Sequence, residues 1–397
     1  MTDRIGKHLV DMGHELHPEV RRAFATVPRE VFAPEATPEE AYTWNEAVVT
    51  KRRGAESTSS VSAPYLQAEM IGQAVDALGS LDGRHVLEIG SGGYNAALLR
   101  ELVGASGSVT TVDIDAFVTD RASAFLTAAG YDDVTVVCAD AELPIEPARR
   151  YDLILVTVGA WDVPSAWTDQ LAEGGVLVVP LRTWGITRSW ALRRDGDGLV
   201  SHSQRHCGFV SMQGDGASEV RYVDIADGVH LRLDEGQQVD AAAVAGLLGE
   251  PRQETWAGLS LPGGTVLGDL NLWVATQLAG RAEQFVVLTA QQEAIDAGRI
   301  TPAWRFGTPA VLDGDTLSYL AKFRWTGDTF DLGVYAHGPD AAAAAERMVQ
   351  IMRDWLAGGT PLLVLHVLPA TTPDGALPAG TVLDKRHRRL VLAFTPA

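Results

Sequence analysis

The sequence predicts an α/β fold, a doubly wound sheet with an N-terminal helical segment, followed by an extra C-terminal α+β domain. Three observations carry that prediction. An apolar strand runs into a glycine-rich turn and then an apolar helix over residues 86–99, VLEIGSGGYNAALL. Short apolar segments then alternate with helical ones up to residue 181, the order of a parallel sheet with helices on its faces. Beyond residue 216 apolar and polar residues alternate between two helical stretches, which reads as α+β.

In chain order, a helix is expected over residues 17–26, ahead of VPREVFAP at 27–34. STSSVSAPYLQAEM at 57–70 reads as a hydroxyl-rich loop that ends at Ala63 and Pro64, where an apolar helix begins. Proline fits that first turn because its missing N–H has no helical partner there. Such a loop could simply cap the helix. Val86, Leu87 and Ile89 form a buried strand, and Gly90, Gly92 and Gly93 let the backbone turn where a Cβ would collide. A second strand, 108–114, carries Asp113, 21 residues beyond Gly92, where an acid can take two ribose hydroxyls. A third, within VTVVCADAE at 134–142, runs out at Asp140, which can accept from an adenine amino group. Strands at 151–157 and 176–181 complete the sheet, and ligands of such sheets sit at these C-terminal strand ends.

Dinucleotide-binding proteins use similar parts, but GSGGY is not GxGxxG and no phosphate cradle follows it. Glu88, just before the first glycine, would repel a phosphate and suits the cationic amino acid end of S-adenosylmethionine. The residues therefore point to a methyl donor site.

The second part is bounded near MQGDGAS, which places residues 1–215 in a first domain and 216–397 in an accessory one. Helices are expected at 270–278 and 340–356, strands at 317–325 and 329–335, with a hairpin turn at 326–328. Trp256, Trp273, Trp304 and Trp355 read as core.

A chain of 397 residues is long enough for two cores. Its formal net charge of −19 argues against binding of extended nucleic acid. Two basic clusters stand out, Lys51 to Arg53 and Lys385 to Arg389, and both read as solvated faces. No membrane span and no secretory signal is expected, so the reading is a cytoplasmic protein. The two cysteines, Cys138 and Cys207, have no CxxC spacing, and Cys138 reads as a small buried residue of its strand. The ten histidines show no HExxH pattern, and no metal site is expected.

VPREVFAP, VSAPYLQAEM, VLEIGSGGY, VTTVDID, ADAE, YDLILVTVGA and LAEGGVLVVPL occur in an order and spacing that resembles the protein-L-isoaspartate O-methyltransferase family. The likeness covers roughly residues 20–214. It implies a Rossmann-like S-adenosylmethionine-dependent methyltransferase fold. By that resemblance Ser60, Val61, Ser62, Ala63 and Gln67 touch donor or substrate, with Ser62 and Ser60 beside the reacting carboxylate. Gly90, Ser91 and Gly92 hold the methionine end, Asp113 the ribose, and Asp140 with Ala141 the adenine. The chain departs from the family in GSGGY, where GxGxGY is usual, and in Ala141, where glycine is common.

The wording AVVTKRR, GSGGYNAALL and LVTVGAWDVP, with the long C-terminal extension, resembles the subgroup found with ribosomally made modified peptides. Examples are lanthipeptides of the FxLD type and ATP-grasp ester-linked peptides. That resemblance implies methylation of an Asp side chain in a constrained precursor peptide, followed by closure to a succinimide (aspartimide) and, on hydrolysis, isoaspartate. A carboxylate is already ionised at neutral pH, so alignment and exclusion of water matter more than a base. Lys51 or Arg52 could draw in the anionic group, and Thr157, Val158, Gly159 and Ala160 could line the peptide's path. The alternatives are general isoaspartate repair and a binding protein that keeps the fold without activity. The accessory domain would serve peptide recognition or homodimer formation.

Overall fold

Strands His85–Ile89, Ser108–Asp113, Thr135–Cys138, Tyr151–Val156 and Leu171–Thr183 form the parallel part of a ten-stranded sheet. Val86 pairs with Val109 on one side and Leu153 on the other. In the computed structural model the protein is described over residues 4–395, apart from 12, 15, 55 and 91. Because side chains alternate along a strand, the apolar run is split between two cores. Val86, Leu153, Leu155, Val176 and Val178 pack with helices Pro18–Thr26, Pro64–Leu78 and Tyr94–Val103. Leu87, Ile89, Ile154, Val156, Leu177 and Val179 pack on the opposite face with Trp167 and Trp190.

Five further strands extend this sheet in antiparallel fashion: Ile186–Asp195, Gly198–His206, Leu362–Pro369, Arg388–Thr395 and Thr381–Asp384. Strand pairing thus crosses the division expected at residue 215, since the strands within 362–395 sit on the first sheet. Between them the chain builds a second, seven-stranded antiparallel sheet from Arg221–Ala226 to Gly333–His337, covered by helix Ala341–Ala357. The expected turn near residue 327 pairs Thr326 with Thr329. The strand expected at 317–325 is broken, however, into Thr316–Leu320 and Arg324–Thr326, which belong to different sheets.

Three other expectations change. The hydroxyl-rich loop is a strand, Glu56–Val61, paired antiparallel with Val48–Arg53, and no side chain caps the helix that follows. Cys138 is exposed, because its strand forms the sheet edge. The second basic cluster is only partly solvated: Arg388 is buried, and Lys385 is packed against the ring of Trp161 at 3.7 Å. Among the described residues no helix is long and apolar enough to cross a membrane.

Candidate active site

Sheet order reverses between His85–Ile89 and Tyr151–Val156, the two strands that flank the switch point of an open α/β sheet. Gly90 leaves the first of them with φ +94°, and a Cβ built on it would lie 2.5 Å from Val158 Cγ1. Only glycine fits. Gly92 has no heavy atom within 4 Å of its Cβ position, so a ligand can approach the backbone there. Ser91 lies outside the described residues.

The acids stand at the next two strand ends. Asp113 lines the pocket and its Oδ1 accepts the N–H of Asp115 at 2.8 Å. Burial pushes its pKa up to about 6. Asp140 also lines the pocket; its Oδ1 accepts from the Glu142 N–H and its Oδ2 from the Asp215 N–H, each at 2.9 Å. Ala141 lies beside it, buried, with its carbonyl accepting from Trp167 Nε1 at 2.8 Å.

Facing these acids is a wall of hydroxyls from the hairpin strand, Thr58, Ser59 and Ser60. Thr58 Oγ1 is buried without a hydrogen-bond partner. Ser60 thus reaches the pocket, whereas Ser62 is not among its lining residues. The Ser62 carbonyl accepts from Arg29 at 2.8 Å. The same guanidinium donates to Gln67 Oε1 at 2.9 Å and to the carbonyl of Ala41 at 2.6 Å. Val61, Ala63 and Gln67 are buried around it. Arg29, within VPREVFAP, fixes the end of the hydroxyl strand, a role with no local signature in the sequence.

Thr157 and Val158 line the donor pocket, and Gly159 and Ala160 line the space beyond it. The backbone groups of the latter pair are already committed. Gly159 donates to Val210 and accepts from Met212, at 2.8 and 3.0 Å, while Ala160 donates to Pro180 and accepts from Arg182, at 2.8 and 2.9 Å. A strap, residues 210–213, is thereby fastened across the pocket, which it also lines. Nothing local in the sequence signals this pairing.

Three expected site residues lie away from the pocket. Glu88 is fully buried, its oxygens accepting from Asn95 Nδ2 at 2.9 Å and Thr111 Oγ1 at 2.7 Å. It therefore turns into the protein and does not line the pocket. Lys51 is paired with Asp115, at the start of helix Ala116–Ala129, and Arg52 precedes the hairpin turn at Gly54; neither lines the pocket or the cleft beyond it.

Beyond the strap the pocket meets a cleft of about 1300 Å³ between the two sheets. Ser211, Met212 and Gln213 belong to both spaces. This volume exceeds the roughly 300–1,000 Å³ of a small-molecule site.

The residues present fit S-adenosylmethionine. Gly90 accepts no Cβ, two carboxylates stand at adjacent strand ends, and the Thr58 hydroxyl is short of a partner. The family model described as protein-L-isoaspartate(D-aspartate) O-methyltransferase matches residues 3–217, which span every one of these groups. A protein-L-isoaspartate O-methyltransferase of Ignicoccus hospitalis is 39% identical over 176 residues, 44% of this chain and 79% of the relative. One of Methanopyrus kandleri is 34% identical over 217 residues, 54% of this chain and 91% of the relative. A solved protein-L-isoaspartate O-methyltransferase, 20% identical, superposes with a TM-score of 0.50 over 92% of this chain and 96% of its own. That likeness in fold reaches beyond residue 217. With the match spanning more than half the sequence, the chain belongs to the protein-L-isoaspartate O-methyltransferase family and is an S-adenosylmethionine-dependent carboxyl methyltransferase.

Proposed function

We propose that the enzyme methylates a carboxylate carried by a polypeptide, the acceptor being the free α-carboxylate of an L-isoaspartyl residue. The observation that carries this reading is the junction of pocket and cleft at residues 211–213, which lets a chain lie in the cleft while one carboxylate reaches Ser60. The names of the relatives support the isoaspartyl acceptor.

When bound, S-adenosylmethionine supplies an electrophilic methyl group on a sulfonium sulfur. Asp113 would hold its ribose hydroxyls, Asp140 and Ala141 its adenine, and Gly90 and Gly92 its amino acid end. The acceptor needs no general base, because a carboxylate of ordinary pKa near 4 is ionised at neutral pH. Ser60 orients it by a hydrogen bond, the backbone held by Arg29 at Ser62 fixes that strand, and the strap keeps water out. The carboxylate oxygen that Ser60 orients would take the methyl group of the bound donor, giving a methyl ester and S-adenosylhomocysteine.

A second reading is an Asp side chain in a ring-constrained ribosomal peptide, whose ester closes to a succinimide. The size of the cleft, and its lining by the accessory unit that the sequence assigned to 216–397, favour this bulkier acceptor. Incubation with S-adenosylmethionine and three peptides decides between them: linear isoaspartyl, linear aspartyl and ring-constrained aspartyl. Base-labile methyl incorporation into the linear isoaspartyl peptide alone is the expected result. Incorporation into the constrained aspartyl peptide alone would replace the first reading with the second.

A further inference from the structure

The cleft is cationic in a chain of net charge −19. Its charged lining is Arg53, Arg182, Arg232 and Glu56, joined by the titratable His206. Arg182 stands next to the segment 157–160, since its own N–H donates to the Ala160 carbonyl at 2.9 Å. Its guanidinium is ion-paired with the buried Asp234. Arg232 comes from the accessory sheet and donates to the carbonyl of Gly185. Asp234 also accepts the N–H of Gly185, the residue whose carbonyl takes Arg232.

Two features mark this pair as short of an acceptor. Nε of Arg182 and Nε of Arg232 are both buried without a hydrogen-bond partner. A buried donor left unpaired is costly, and both arginines also line the cleft, where a carboxylate can approach them. Burial and the nearness of Arg182 also hold the pKa of Arg232 below its ordinary value, the sign expected of cations crowded together. The remaining wall is aromatic, with Trp304, Phe323 and the exposed Trp325. Such a surface suits a peptide with acidic side chains better than a small neutral metabolite.

We propose that Arg182 and Arg232 form an anion subsite for a second carboxylate of the polypeptide acceptor, set along the chain from the one that is methylated. The inference rests on the polypeptide reading above. Arg182 pairs through its backbone with Ala160, and its side chain lines the cleft from there. Extended chain rises about 3.3 Å per residue, so the spacing between the two acids reads out the subsite's distance from the methylated carboxylate. The subsite selects among acceptors, and the transfer itself does not use it.

The test uses the full chain and isoaspartyl hexapeptides that differ only in Glu or Gln at offsets of one to four residues. At the best offset the Glu peptide should show kcat/KM about tenfold above its Gln partner, mostly through KM, with the ratio shrinking at high salt. In Arg232→Gln that ratio should fall to about one. Ratios within twofold at every offset in the unaltered enzyme would overturn the subsite, as would a ratio that survives in Arg232→Gln. If thermal unfolding shows that Arg232→Gln does not fold, Arg182→Gln and the unaltered enzyme's ratio decide the same question. No methylation of any peptide, with S-adenosylhomocysteine still bound, points instead to failure of the isoaspartyl reading.

Discussion

The Asp215 N–H donates to Asp140 Oδ2 at 2.9 Å, tying the segment after the strap to the carboxylate proposed to meet the adenine. The residue that makes this possible is Gly214, with φ +74°. A Cβ there would overlap Asp140 Oδ2 and come 2.5 Å from Ile114 Cδ1.

Gly214→Ala should therefore weaken donor binding. The left-handed backbone alone costs an L-residue about 1–2 kcal/mol, and the overlap pushes the segment off Asp140. The Kd for S-adenosylhomocysteine, measured by calorimetry, is expected to rise about tenfold or more with the fold intact. An unchanged Kd would show that this segment plays no part in holding the donor.

Asp113 gives a pH test with a defined sign. Burial lifts its pKa from 3.8 to about 6, so the folded protein without donor holds a proton that the unfolded chain releases. Its contribution to stability is full below about pH 4 and is lost as pH rises through 6. Donor binding runs the other way, because ribose hydroxyls need the ionised carboxylate as acceptor. Affinity for S-adenosylhomocysteine should fall as pH drops below about 6, approaching tenfold per unit. Asp113→Asn should abolish this dependence and weaken binding at pH 8 by about 1.5–3 kcal/mol.

The parts of the site that sequence alone displays are those built locally. Gly90, Asp113 and Asp140 sit at strand ends, and strand ends follow from apolar runs and the turns that stop them. Glu88 could not be placed the same way. Its partners are Asn95, on the following helix, and Thr111, on the neighbouring strand, and together they satisfy a carboxylate that looked available. The hydroxyl-rich segment has the composition of a cap and forms a strand because Gly54 turns Val48–Arg53 back onto it. The strap depends on Gly159 meeting Ser211, a pairing across 52 residues with no local signature. A run of basic residues such as 385–389 looks solvated until the layer against it is known.

That run supplies another test. Lys385 is half-buried, donates to the carbonyls of Trp161 and Arg182, and lies near Asp234, Asp162, Arg182 and Glu235. Burial lowers its pKa from 10.5 to about 7, so between those values the unfolded chain binds a proton that the folded one does not. Stability should accordingly rise with pH from about 7 to 10 through this group. In Lys385→Met the Tm should lose that rise. The KM for peptide should also increase several-fold, because the loop after Ala160 loses its anchor. A Tm profile identical to that of the unaltered enzyme would mean that the ammonium is solvated in solution.

The last expectation concerns the C-terminal strands, which a cut at residue 223 would remove along with the accessory sheet. Leu362–Pro369 pairs with Gly198–His206 through His366 and Val200, and Ser201 Oγ accepts the Leu365 N–H at 2.9 Å. Leu365, Val367, Leu390 and Leu392 are all buried in the core that holds Ile89 and Val156. At about 1.5–3 kcal/mol each, their loss is on the order of 6–12 kcal/mol, as large as the whole stability of a typical domain. A chain ending at Val223 should thus fail to unfold cooperatively and fail to bind S-adenosylhomocysteine, even though every residue of the donor pocket precedes the cut. Leu365→Ala probes the same core mildly, with an expected loss of about 2–5 kcal/mol in denaturant unfolding. A truncated chain that binds donor with full affinity would show that residues 1–223 fold alone and that the returning strands only cover them.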